Sequence, residues 1–83
     1  MTLRVRCRFF ARYAEVLGRD EITFDMPRAS LVADAVERVR RDVQGGTSLP
    51  QTPMVAVNRE HVLQDRPLQD GDELAFLPPL AGG

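Results

Sequence analysis

The sequence predicts an α+β fold, a mixed sheet of four to five strands with one main helix packed on one face, and three features of its 83 residues carry that prediction. Residues 3–10 alternate with a period of two, residues 31–43 hold the one long apolar run at helical spacing, and residues 22–26, 54–57 and 73–77 are short apolar runs of strand length. One sheet and one helix cover each other's apolar faces, and nothing is left over for a second layer.

Leu3, Val5, Cys7 and Phe9 alternate with Arg4, Arg6, Arg8 and Phe10, the pattern of a strand with one buried and one outward face. Ala11, Ala14 and Leu17 follow at helical spacing before Gly18, which predicts a short helix or helical turn. Residues 18–20 turn the chain back. Ile22, Phe24 and Met26, set against Glu21, Thr23 and Asp25, form a second strand paired hairpin-fashion with the first and ended by Pro27. Ser30 then stands as N-cap before Leu31, Val32, Ala35, Val36, Val39 and Val43, which share one stripe of a helix whose other side carries Asp34, Glu37, Arg38, Arg40 and Arg41.

Residues 44–53 contain paired glycines and two prolines and read as a mobile surface loop. Met54 to Val57 is a short strand, residues 58–60 are its turn, and Val62 with Leu63 adds a brief extended piece. Asp70-Gly71-Asp72 is a tight turn that needs a positive φ at its glycine. In the strand from Glu73 to Leu77, Leu74 and Phe76 oppose Glu73, Ala75 and Leu77. Strand hairpin, crossover helix and a final strand returning beside the first make a β-grasp arrangement. In it the outward arginines of the first strand meet Glu21 and Asp25 on one side and Glu73 on the other.

Composition narrows function before any motif does. With 43% hydrophobic and 28% charged residues the chain holds one small domain, which excludes a large enzyme with its own deep cleft. A formal charge of −1 argues against a nucleic-acid or membrane partner, even with the local row Arg4, Arg6, Arg8 and Arg12. All eleven basic residues are arginine, so no side chain offers an amine for Schiff-base chemistry or an isopeptide bond. A lone Cys7 forbids an internal disulfide and, with no signal-like or membrane-spanning segment, predicts a cytoplasmic protein.

Few side chains qualify as catalytic. Cys7 lies on the buried face of its strand, which suits core packing better than nucleophilic attack. His61 lacks companions for a metal site or a triad and reads as a surface histidine, so no metal ligands are expected. Asp65, Asp70, Asp72 and Glu73 lack calcium-loop spacing and read as a solvated turn with charge pairing. Gly45-Gly46 precedes no lysine and serves as loop punctuation.

The end of the sequence differs in kind. Pro78-Pro79 ends sheet pairing and favours an extended course, so residues 1–77 are expected to form the domain and residues 78–83 a flexible tail reaching at most about 20 Å. Gly82 and Gly83 suit a terminal carboxylate that enters a narrow active-site channel to be activated, since they place no side chain beside it; a frayed tail is the alternative reading.

Phe9-Phe10-Ala11, Val55-Ala56-Val57-Asn58, Pro67-Leu68 followed by Asp70-Gly71-Asp72-Glu73, and above all residues 75–83, AFLPPLAGG, resemble the MoaD/ThiS sulfur carriers. The likeness is strongest to their MoaD branch, the small subunit of molybdopterin synthase. It implies a ubiquitin-like β-grasp fold and a cycle in which an E1-like enzyme adenylates Gly83 with ATP and a sulfur-donating enzyme converts it to a thiocarboxylate. The tail then delivers sulfur to a pyranopterin precursor in the large catalytic subunit. Such a chain is no enzyme by itself and holds no permanent cofactor. The resemblance makes Gly83 the modified residue and Gly82 its necessarily small neighbour. Phe10, Leu77, Pro78, Pro79, Leu80 and Ala81 are the expected partner surface. The same design serves thiamin thiazole, cysteine and tRNA thiolation, and ubiquitin-like modifiers use it to form an isopeptide.

Overall fold

A computed structural model describes residues 1–79. Five strands form one sheet in the order β2-β1-β5-β3-β4, with β1 at Thr2–Phe9, β2 at Glu21–Pro27, β3 at Met54–Val57, β4 at Glu60–Val62 and β5 at Glu73–Leu77. The central pair β1–β5 is parallel, while β1–β2, β5–β3 and β3–β4 are antiparallel. Helix α1 spans Arg12–Leu17 and α2 spans Val32–Asp42. The sequence-derived architecture holds, with the final strand lying beside the first.

Alternation decides what is inside. Val5, Cys7 and Phe9 of β1, Phe24 and Met26 of β2, Val55 and Val57 of β3, and Leu74 and Phe76 of β5 share a core with Val32, Ala35, Val36 and Val39 of α2. Phe9 and Phe76 occupy one register position of the parallel pair, and their rings pack tilted with centroids 5.3 Å apart. Such an aromatic pair adds to the hydrophobic gain of burying both rings.

Gly18 ends α1 in the left-handed conformation, as its position predicted, with its N–H donating to the carbonyl of Ala14. The turn at residues 70–72 also forms as expected, with Gly71 at φ 88°. It clasps the start of β1: the Arg4 N–H donates to Asp70 Oδ1 at 2.8 Å and the Gly71 N–H to the Arg4 carbonyl at 2.7 Å.

Four local expectations are corrected. Ser30 is not the N-cap of α2; its hydroxyl turns back to the Pro27 carbonyl at 2.6 Å, and Leu31 occupies the cap position. A leucine side chain cannot satisfy the helix's free N–H groups, so the cap is built from the other side: the Asp34 carboxylate accepts from the Leu31 N–H at 2.7 Å. The β3–β4 turn is the pair Asn58-Arg59, both at positive φ, so Glu60 and His61 already belong to β4 and Leu63 lies beyond it, exposed.

Residues 44–53 are not a loose surface loop. They contain a one-turn 3-10 helix at Gly46–Ser48, and Leu49 and Pro53 are buried. The two glycines are fitted parts: a Cβ on Gly46 would stand 2.2 Å from the Val39 carbonyl oxygen, and one on Gly45 2.4 Å from that of Val16. The acidic turn is also less solvated than its composition suggests. Asp72 is only 4% exposed, with Oδ2 accepting from Arg66 Nη1 and the Gln69 N–H and Oδ1 from Asn58 Nδ2.

The close approach at Gly46 is to helix backbone, which cannot step aside as a side chain can. Gly46→Ala should therefore destabilise the domain by about 2–3 kcal/mol, the upper range for forced overpacking. A urea unfolding midpoint unchanged from the parent would show that the segment yields.

Candidate functional site

The outward face of the sheet is assembled by register. β1 contributes Arg4, Arg6 and Arg8, directly opposite Asp25, Thr23 and Glu21 of β2, and on the other side Arg6 and Arg8 register with Glu73 and Ala75 of β5. Arg4 pairs with Asp25, and Glu73 receives both Arg6 and, at 3.9 Å, Arg8. The hydrogen bond and charge of Glu73 raise the Arg6 pKa above its ordinary value. Two of the three acids expected around this row are therefore its ion-pair partners, while Glu21 faces Arg8 in register but the Arg8 guanidinium pairs with Glu73.

Past that row the face changes character. Arg8 registers with Ala75, Ala75 with Ala56 and Ala56 with His61; in the adjoining position Leu77 faces Met54. Of these, His61, Leu77 and Met54, together with residues 10–13 that follow β1, line an open groove of about 1150 Å³. Phe10, Ala11, Arg12 and Tyr13 form one wall, Met54, His61 and Pro50 another, and Leu77, Pro78 and Pro79 run along it. Met54 is 53% and Phe10 38% exposed, large apolar surface that a solvated sheet has no reason to present. The Arg8 guanidinium lies 5.4 Å from the Phe10 ring centre and marks the border with the charged half.

Of the expected partner surface, Phe10, Leu77, Pro78 and Pro79 are brought together here, Pro78 half-buried and Pro79 exposed. Leu80, Ala81, Gly82 and Gly83 lie outside the described residues. Arg12, Tyr13, Pro50, Met54 and His61 were not foreseen as lining. Alternation within residues 54–57 carries the signal for Met54, because it must share a face with Ala56 once Val55 and Val57 are inward. His61 reaches the groove through a turn whose length the sequence reading overestimated.

The remaining candidates are inert. Cys7 is buried against α2, and loss of hydration pushes its thiol up to about 12. Among the described residues no cluster of histidine, cysteine or acidic side chains could hold a metal ion, and no helix is long and apolar enough to cross a membrane. A second cleft, of about 440 Å³ between residues 26–30 and α2, mixes Arg28, Arg38 and Arg41 with Asp34 and Glu37 and adjoins β2, at the sheet edge opposite β4.

A family model, ThiS, matches residues 7–83. The chain belongs to the ThiS family. This ThiS-family chain is 34% identical over 83 residues to the molybdopterin synthase sulfur carrier subunit of Chlamydomonas reinhardtii, an alignment covering 98% of this chain and all of the relative. Among solved structures it resembles SAMP1 from Haloferax volcanii, a small archaeal modifier protein, with TM-score 0.76 at 27% identity over 96% of this chain and 99% of the other. A ubiquitin of Caldiarchaeum subterraneum shares the fold over the full length of both chains, TM-score 0.68 at 12% identity. The resemblance read from residues 75–83 and the ubiquitin-like β-grasp fold it implied are both borne out.

The thiol raised by burial has a measurable consequence. Cys7 in the folded chain should resist iodoacetamide at pH 8 and become fully alkylated in strong denaturant, read by intact mass. Alkylation of the folded chain at the rate of a free thiol would place Cys7 at the surface.

Proposed function

We propose that this ThiS-family chain is the sulfur carrier subunit of a molybdopterin synthase and that Gly83 is the residue that carries the sulfur. The observation that carries this reading is the junction of β5 with the apolar groove: the strand delivers Pro78 and Pro79 alongside Phe10, Met54 and Leu77, so that a partner gripping the groove also receives the residues leading to Gly82 and Gly83. The family match extends through Gly83, and the full-length relative from Chlamydomonas is itself a sulfur carrier subunit.

The chemistry follows from what a carboxylate lacks. It is a poor electrophile until an oxygen of Gly83 attacks the α-phosphorus of ATP, releasing pyrophosphate and leaving an acyl-adenylate. A sulfide equivalent from a sulfur-donating enzyme then attacks the carbonyl carbon, the bond to AMP breaks, and a thiocarboxylate remains. Its sulfur is transferred to a pyranopterin precursor held by the large catalytic subunit, and hydrolysis returns Gly83 to the carboxylate. ATP is used in trans by an E1-like activating enzyme, so this chain needs no nucleotide site. We place the cycle in the cytoplasm, where ATP and reduced sulfur coexist.

A second reading, a ubiquitin-like modifier joined through Gly83 to a lysine of another protein, is favoured by the likeness to SAMP1. Both readings activate the same carbonyl and differ only in whether sulfur or an amine accepts it. Incubation with an E1-like activating enzyme, ATP and a sulfur donor should exchange one oxygen of the C-terminal carboxylate for sulfur, seen by intact mass. Removal of Gly83 should abolish that exchange while leaving thermal unfolding unchanged, because among the described residues the last core residue is Phe76. No exchange in the parent chain sinks the carrier reading, and Gly-Gly remnants of this chain on cellular lysines would establish the modifier.

A further inference from the structure

The groove is apolar, yet its ionisable lining is unbalanced. His61 enters from β4, Arg12 and Tyr13 enter from α1, and no aspartate or glutamate is among the lining residues. β3, β5, Pro50 and Pro78–Pro79 bring no titratable group to it. Glu60, next to His61 on its own strand, is one residue out of phase and points to the other face. Arg12 also differs from the arginines of β1: Arg4, Arg6 and Arg8 each have an acidic partner, whereas Arg12 makes no ion pair or side-chain hydrogen bond among the described residues.

We propose that Arg12 and His61 make the groove selective for an apolar partner segment that carries a carboxylate, seated between them, on the large catalytic subunit. The inference rests on the carrier reading and adds to it the polar group the partner must present. Charge complementarity is the argument. Docking an apolar segment over Phe10, Met54 and Leu77 strips water from Arg12 and His61, and only an anion compensates both. A neutral segment would leave the guanidinium short of partners. A basic one would be repelled.

The histidine makes the proposal readable by pH. A partner carboxylate beside His61 stabilises the imidazolium over the neutral ring, so binding takes up a proton. Affinity then increases as pH falls through the ordinary histidine range near about 6.5. Were His61 instead packed against apolar surface, burial would disfavour the cation and affinity would fall on acidification. The two arrangements have opposite signs.

Calorimetric titration of the large catalytic subunit with the full chain, at about pH 8 and about pH 6, tests this. The expected result is binding at least about threefold tighter at the lower pH for the parent chain, loss of that increment in His61→Gln, and about tenfold weaker binding for Arg12→Glu. Arg19→Glu, an exposed charge outside the groove, should match the parent and corrects for net charge. Circular dichroism of each variant confirms that it is folded. Binding that weakens on acidification, a pH increment that survives His61→Gln, or an Arg12→Glu chain that binds as the parent does overturns the selectivity while leaving the carrier reading in place. Absence of binding by the parent chain at both values overturns the carrier reading and this inference with it.

Discussion

The parallel pairing of β1 with β5 is the constraint from which the rest of the molecule follows. Parallel neighbours cannot be joined by a tight turn, so everything between Phe9 and Glu73 has to cross over and return. The crossing is made by α2 over one face, which closes the core there and leaves the other face open. Because both central strands run the same way, β5 ends where β1 ends. Phe10 and α1 lie at the end of β1, and Leu77 and Pro78 at the end of β5, so the two ends form the walls of one groove. An antiparallel β5 in the same place would have ended at the start of β1, away from Phe10 and α1.

Locking that pair takes more than the Phe9–Phe76 contact. The buried Asp72 carboxylate ties Arg66, Gln69 and Asn58 to the entry of β5, and the Asn58 side-chain oxygen in turn accepts from the Glu73 N–H. The β3–β4 turn and the connection into β5 therefore converge on one anion just before the strand begins. A carboxylate this deeply buried is tolerated only because each oxygen is engaged. Its position at the start of β5, away from the groove, separates the group that holds the strand from the residues that present its other end.

Much of this was legible in the sequence, for reasons of period. The alternation in residues 3–9 and 73–77 decides which side chains face α2, and opposite charges across the sheet account for the arginine row. What could not be read depended on partners distant in sequence. Ser30 has the right chemistry for an N-cap, but the Pro27 carbonyl lies closer to its hydroxyl and Asp34 does the work instead. Gly45-Gly46 has the composition of a loop, and only the packing of Val16 and Val39 against it shows that side chains are excluded there. His61 is the exposed surface histidine that the sequence predicts, but one histidine without companions carries no pattern that would place it on the groove. Its company is across the sheet, through Ala56 to the β5 end.

The arginine-only composition gains a sharper meaning from the fold. A guanidinium supplies positive charge at neutral pH without a nucleophilic lone pair, whereas a lysine amine can be acylated. On a chain whose proposed chemistry is an activated carbonyl, the basic residues that line the groove with Pro79 are Arg12 and His61. Arg12 can attract an anionic partner there but cannot compete with sulfur for the carbonyl of Gly83. Charge for docking and nucleophile for transfer are thus kept on different proteins. On the proposed reading, that separation lets this small domain present its carbonyl to a nucleophile that a partner supplies.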